Sequence, residues 1–343
     1  MINFAVVGIG HISAKHIQAI QNADGANLYA ICDTNEDRLK SVEIDNIVKH
    51  TDLEKLLTEH PEIDVVNICV PSGLHKTLAE IAAKHKKHIV LEKPMALTAA
   101  ESREVMEAAD QNGVKLAVVH PNRFRPAIRT LREKFDKGSF GKVSHANATV
   151  RWNRNQEYYD QAPWRGTKKY DGGVLMNQAI HNLDLLLWFM GPVESVKGMA
   201  ATRLRKIETE DVAGALVTFE SGAVAIIEAA TTIYPSNLEE SLSIFGETGT
   251  AKISGRNALH IDTWDFADSD ENEKQRLSDE INENPMGKPG HDWIIQDMVE
   301  AINENREPIV NGQDGLAPVE LIEAILQSAE TGKEIFLSKE KQS

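Results

Sequence analysis

The chain has 343 residues, 41% of them apolar, only two cysteines and a formal net charge of −15. That length suits two domains with separate cores, the acidity argues against nucleic acid in the absence of a concentrated basic patch, and two cysteines build no disulfide framework. No run of about 18 apolar residues is present to cross a bilayer, and the first strand begins within a few residues of Met1, so a cytoplasmic protein without a membrane partner is expected.

In chain order, Asn3 to Val7 reads as a short apolar strand, and Gly8-Ile9-Gly10-His11-Ile12-Ser13 follows it directly and opens a helix to about Asn22. Strand, Gly-x-Gly, helix is the order a dinucleotide fold needs: the first glycine allows the tight turn, the second lets backbone approach a pyrophosphate, and the helix start offers N–H groups to the anion. Ser13 stands where a third glycine is usual. A second strand, Leu28 to Cys32, ends in Asp33, near the roughly 20-residue spacing of the carboxylate that binds the adenosine ribose. Asp33 favours NAD, and Arg38 on the next helix leaves NADP open.

A short strand near Ile47 and a helix capped by Thr51 precede a third clear strand, Asp64 to Val70, which ends in Pro71-Ser72-Gly73-Leu74-His75. His75 either caps the helix that follows, Leu74 to Lys84, or faces the cofactor. The strand Ile89-Val90-Leu91 then stops abruptly at Glu92-Lys93-Pro94. A lysine at the carboxyl end of a buried parallel strand lies where open α/β sheets place ligands, so Lys93 is the first candidate catalytic residue. A helix from Thr98 to Asn112 and a strand from Val114 to Val119 complete a doubly wound parallel sheet, and right-handed crossovers put Gly10, Asp33, Pro71, Lys93 and His120 along one edge. The expected cofactor set is Gly8, Gly10, His11, Ile12, Asp33, Pro71, His75, Glu92 and Lys93.

Beyond Arg123 and a helix of about ten residues the pattern changes. Lys142 to Trp152, Val193 to Leu204, Val212 to Phe219, Ala223 to Thr231 and Ser241 to Ile253 alternate like half-solvated strands. An α+β domain on a large open, mostly antiparallel sheet is expected at residues 122–343, after a Rossmann domain at 1–121. Asp262 to Asn284, acidic and poor in apolar residues, reads as an exposed loop or lid, and two amphipathic helices, about His291 to Asn305 and Ala317 to Thr331, follow.

Between the first two of those strands, Asp171-Gly172-Gly173 opens a helix that is apolar almost all round and therefore buried. Asn177, His181 and Asp184 interrupt it at i, i+4 and i+7, a spacing that stacks them on one stripe, and a polar stripe on a buried helix must be satisfied by hydrogen bonds or face a wet cavity. Arg123, Asn177, Gln178 and Asp184 are candidate substrate residues. No other His or Cys stands near His181 at ligand spacing, so no metal is expected. Arg151-Trp152-Asn153-Arg154, Tyr158-Tyr159 and Trp164-Arg165 mix guanidinium forks with aromatic faces, which suits an anionic ligand carrying a ring but also a charged edge strand.

Gly8-x-Gly10, Glu92-Lys93-Pro94 and the Gly-Gly segment leading to His181 and Asp184 resemble the motifs of the Gfo/Idh/MocA oxidoreductases, over nearly the whole chain. The resemblance implies hydride transfer between a nicotinamide and a sugar or cyclitol carbinol, with Lys93 and His181 as the catalytic pair, Trp164 and Arg165 near the cofactor, and a Lys93-Pro94 peptide held in cis. Asn177 departs from the aspartate many members carry. Together with Trp164-Arg165-Gly166-Thr167 and Asp171-Gly172-Gly173, the segment around Asn177 looks most like the branch acting on UDP-linked N-acetyl amino sugars, which oxidises the C3 hydroxyl. Dehydrogenases of free sugars or inositols, and NAD-dependent glycosidases, are the alternatives on this fold. A homodimer or homotetramer is implied as well.

Overall fold

A computed structural model describes residues 1–270 and 272–337. By contacts the chain divides into two compact units, Met1–Pro121 with Lys288–Val319, and Asn122–Gly287 with the chain from Glu320 onward. This differs from a simple division after residue 121. The chain leaves the second unit and returns Lys288–Val319 to the first, an exchange that no local composition could show.

In the first unit, β1 (Ile2–Val7), α1 (Ser13–Asn22), β2 (Ala26–Cys32), α2 (Glu36–Lys40), β3 (Val48–His50), α3 (Leu53–Glu59), β4 (Val65–Ile68), α4 (His75–Lys84), β5 (His88–Leu91), α5 (Ala99–Asn112) and β6 (Leu116–Val118) alternate. The six strands are all parallel, in the order β3-β2-β1-β4-β5-β6. Val65, Val66, Ile89, Val90 and Leu91 are fully buried because helices cover both faces of such a sheet, each such side chain contributing roughly 1.5–3 kcal/mol. Local capping matches the residue chemistry. Thr98 caps α5 by accepting from the Glu101 N–H, while Asp52, rather than Thr51, caps α3 by accepting from the Lys55 N–H.

The second unit opens with α6 (Pro126–Asp136), β7 (Val143–Arg151) and α7 (Gln156–Asp160). A π-helical turn, Val174–Ala179, leads into α8 (Ile180–Met190), and then come β8 (Val193–Ala201), β9 (Val212–Phe219), β10 (Val224–Ala230), β11 (Glu239–Gly246), β12 (Gly249–Ser254), β13 (His260–Phe266) and α9 (Glu273–Glu283). After α10 (Gly290–Glu304) in the first unit, α11 (Gly312–Thr331) and β14 (Ile335–Phe336) finish the described chain. The eight-stranded sheet runs β13-β12-β11-β7-β10-β9-β8-β14, antiparallel throughout except between β7 and β10. One face packs under α8, whose Asn182 donates its amide to the Thr149 and Ser241 carbonyls.

The acidic stretch from Asp262 is not a loop: β13 continues to Phe266 and α9 follows. Of its few apolar residues, Trp264, Phe266 and Ile281 are buried, and Lys134 pairs with Glu273, so a thin apolar content is enough when its spacing suits the packing. Among the described residues no helix is long and apolar enough to cross a membrane. Cys32 and Cys69 are buried free thiols, and burial pushes the Cys32 thiol up to about 12.

Candidate active site

The carboxyl edge of the parallel sheet gathers Gly8, Asp33, Pro71, Lys93 and His120 within the first unit, each just beyond the end of its strand. Gly8 has φ +88°, and a side-chain carbon there would lie 2.7 Å from Val70 Cγ1 and 2.8 Å from the Cys69 carbonyl oxygen, so only glycine fits. At Gly10 a side-chain carbon would meet nothing within 4 Å. The turn therefore opens onto free space. Above it, Ser13 donates its hydroxyl to the Gly10 carbonyl, and α1 follows Ile12, at the N-cap position, with no side-chain cap and no acidic residue in its first turn. Those amides are available to an anion. Asp33 accepts from the Ile9 N–H at 2.7 Å and the Asn35 N–H at 2.8 Å, and the Arg38 guanidinium lies 3.5 Å away. An open glycine turn, an uncapped helix start and a carboxylate beside it suit a dinucleotide.

The strand β5 delivers Glu92 and Lys93 at this edge, with the Lys93–Pro94 peptide in cis, as the resemblance implies. Glu92 is engaged within the unit. One of its oxygens receives His16 and His291 and the other the Lys93 N–H, and the side chain is buried. His75 does not cap the helix, whose N-cap position Leu74 holds. It is 1% exposed, with Nδ1 2.7 Å from the Pro94 carbonyl oxygen and Nε2 2.9 Å from that of Val70, and burial holds its pKa below the usual histidine value. A strand-end sequence shows which residues reach the edge, but not which turn inward to satisfy buried polar groups.

In the second unit the Gly172-Gly173 segment leads into the π-helical turn rather than directly into an α-helix, and such turns re-aim side chains at functional sites. Glu210 locks it. Its Oε1 accepts from the Leu175 N–H at 3.0 Å, its carbonyl accepts from the Val174 N–H at 3.0 Å, and any side chain at Gly173 would fall on its carboxylate. Burial pushes that carboxyl up, and Asp171 and Asp211 push it the same way. Asn177 donates its amide to Asp171, whose other oxygen accepts from the Gly166 N–H at 2.6 Å. Asn177 and His181 are half-buried.

Asp184 is spent elsewhere. Its carboxylate takes a bidentate contact from Arg123, at 2.9 Å from Nε and 2.6 Å from Nη2, and both residues are buried. Arg123 also lies over Trp188, 5.2 Å from its ring centre. The pair neutralises itself inside the unit, with both side chains buried. Gln178 accepts from Arg154 at 3.1 Å. Arg165 lies 4.0 Å from the Tyr158 ring centre and 5.0 Å from that of Trp164, and Arg154 is 5.2 Å from Tyr158 on its own side. The interleaved arginines and aromatics thus form one cation–π cluster beside Gln178, not a charged edge strand. Glu210, His16 and His291 are the residues of interest that the sequence left unmarked. Arg154 was marked through its aromatic neighbours, whereas those three carried no signal.

Residues 2–120 match the oxidoreductase family with an NAD-binding Rossmann fold, and residues 128–252 match the GFO/IDH/MocA C-terminal domain. Among solved structures, the WlbA dehydrogenase of Bordetella pertussis in complex with NADH and UDP-GlcNAcA is 36% identical, covers 98% of both chains and superposes with a TM-score of 0.92. Curated relatives include the D-apiose dehydrogenase of Paraburkholderia graminis, 26% identical over 97% of this chain and 89% of that protein, and the myo-inositol 2-dehydrogenase of Thermotoga maritima, 25% identical over 98% and 99%. The open glycine turn, the Lys93 strand end and the mixed sheet are thus the parts of a known design, and the chain belongs to the GFO/IDH/MocA family as an NAD-dependent sugar oxidoreductase acting on CH–OH.

Proposed function

We propose that this enzyme oxidises the C3 hydroxyl of a nucleotide-linked N-acetyl amino sugar, with Lys93 and His181 as its catalytic pair. The observation that carries this reading is the full-length likeness to the WlbA dehydrogenase bound to UDP-GlcNAcA. NAD, when bound, supplies the hydride acceptor. His181 takes the hydroxyl proton as general base, and Lys93 holds the substrate oxygen and stabilises its developing charge. Asn177 orients the sugar as a neutral group. The Arg154–Tyr158–Gln178 cluster offers donors and a ring face to a charged, ring-bearing substrate. Gly8, Gly10, His11, Ile12, Asp33 and Pro71 hold the cofactor, and Trp164 and Arg165 are further cofactor residues by the family resemblance.

A second reading, oxidation of a free sugar or inositol, draws on the apiose and inositol dehydrogenases among the relatives. The two separate by the near-ultraviolet absorbance of reduced nicotinamide, with NAD and a panel of UDP-GlcNAcA, UDP-N-acetylglucosamine, D-apiose and myo-inositol. Reduction only with the UDP sugars is expected; reduction only with apiose or inositol overturns the nucleotide-sugar assignment. Lys93→Ala should keep NAD affinity and lower turnover about 10²–10⁴-fold, and undiminished turnover overturns its role.

We also propose that the open face of the eight-stranded sheet is covered by a second copy. Leu216 and Ile226 are paired in register there, at 60% and 52% exposure, and adjacent exposed apolar residues of this kind mark association surfaces. Light scattering on the eluted protein should give a dimer or tetramer, and Ile226→Lys should shift it to smaller species. A wild-type monomer overturns this.

A further inference from the structure

The turn that carries Lys93 is held by a buried histidine–glutamate–histidine set from three distant parts of the first unit. His16 lies on α1, Glu92 directly after β5, and His291 in the first turn of α10; they are 1%, 7% and 7% exposed. Nε2 of His16 lies 2.9 Å, and Nε2 of His291 3.2 Å, from the same Glu92 oxygen, Oε1. The other oxygen, Oε2, accepts the Lys93 backbone N–H at 3.1 Å. Asn67, itself buried on β4, donates its amide to Nδ1 of His16 at 2.9 Å. An amide nitrogen only donates, so Nδ1 carries a lone pair and the His16 proton sits on Nε2, where it is given to Glu92. Burial works to raise the Glu92 carboxyl, but the hydrogen bonds from His16 and His291 outweigh it and hold it well below the usual range. Glu92 is therefore a carboxylate held between two donors. One residue beyond Lys93, the Pro94 carbonyl oxygen lies 2.7 Å from Nδ1 of His75, so the lysine backbone is fixed on both sides.

The same three side chains place their ligating atoms within 4.8 Å of one another, and two histidines with a carboxylate form a known zinc set. The proton relationships favour hydrogen bonds over an ion. Asn67 commits His16 Nε2 to a proton, which leaves that nitrogen no lone pair for an ion.

We propose that His16 and His291 are positioning residues for Lys93: by donating to one oxygen of Glu92 they aim the other at the Lys93 N–H and fix the turn that carries the lysine. The proposal rests on the reading of Lys93 as catalytic. It also gives a reason for the return of Lys288–Val319 to the first unit, since that segment supplies His291.

The test uses the full chain with NAD and UDP-GlcNAcA, comparing wild type, His291→Leu, His291→Gln and Lys93→Ala. Loss of the donor in His291→Leu should lower kcat about 10–100-fold, as removal of an orienting partner does, while NAD affinity stays within a factor of about two. His291→Gln, which keeps a donor, should restore most of it. The pH dependence of Lys93 acetylation by an N-hydroxysuccinimide ester, read by peptide mass spectrometry, should shift in His291→Leu and return in His291→Gln; this readout needs no substrate. An inactive Lys93→Ala beside a His291→Leu of wild-type kcat and acetylation overturns the positioning role and leaves the catalytic reading intact. An active Lys93→Ala overturns both. Should His291→Leu not fold, the wild-type holoenzyme still decides: a Lys93 amide that exchanges with deuterium as slowly as the central strands supports the proposal, and one that exchanges as fast as an exposed loop overturns it. One equivalent of zinc retained through chelator dialysis overturns it also.

Discussion

The two candidate catalytic side chains are held by opposite means. Lys93 stands after a regular strand, and its turn is fixed by side chains far away in sequence: Glu92 answers to His16, 76 positions earlier, and to His291, 199 positions later. His181 stands on an irregular helix whose π-helical entry is fixed by neighbours within the same unit, chiefly Glu210 and Asp171. The parallel sheet supplies straight backbone and leaves orientation to a buried polar set, whereas the second unit bends the backbone itself and wedges it. A strand end therefore tolerates local change badly when its distant partners are lost, and the helix start tolerates it badly when its own glycine is changed.

The largest expected effect breaks the second of these supports at its chemical end. His181→Ala should lower turnover with UDP-GlcNAcA and NAD about 10²–10⁴-fold, the usual worth of a general base, with NAD binding by calorimetry little altered. Next is the Arg123–Asp184 pair beneath it. Asp184→Ala removes the bidentate carboxylate from a buried guanidinium and should cost about 3–5 kcal/mol of stability in urea unfolding. An Arg123→Met, Asp184→Leu double variant should recover much of that loss, because the pair then disappears as a unit.

Gly173→Ala tests the wedge itself. Its new methyl falls on the Glu210 carboxylate, which is buried and already bonded to the Leu175 N–H, so about 1–3 kcal/mol should be lost. Activity should fall further than stability, because the turn feeding His181 must move. A variant with full activity would show that the π-helical entry is not needed.

The smallest effect per residue distinguishes the units by pH. Burial holds His16, His75 and His88, all in the first unit, below the ordinary value of 6.5. Below that value the unfolded chain takes up protons that the folded unit does not, so stability falls as pH drops from 6.5 toward the lowered folded values. The slope is about 1.4 kcal/mol per pH unit for each histidine. Calorimetric scans at about pH 7.5 and about pH 5.5 should therefore show a lower melting temperature in acid, and His88→Gln should flatten the change. A melting temperature that rises in acid would contradict the neutral, buried histidines.

Much of the fold was legible before any coordinates. Gly8 and Gly10 after an apolar strand, Asp33 at the next strand end and Lys93 at a later one set out a parallel sheet, since a strict order of strand, turn and helix leaves few topologies. The alternation of Lys142 to Trp152 and its successors likewise announced the antiparallel sheet. Less was legible at the site. Glu92, His75, Arg123 and Asp184 all lay in the right places, and the structure turns each of them inward.

The sequence by itself determined the elements, their order and which residues reach the sheet edge, because hydrophobic period and glycine placement are local properties. Only the tertiary structure decided which polar groups satisfy one another. That choice depends on partners such as His16, Glu92 and His291, which a linear pattern cannot bring together and which burial compels to pair. It also decided that the chain from Lys288 to Val319 belongs to the first unit, because docking of α10 against α1 follows from complementary surfaces and not from neighbouring sequence.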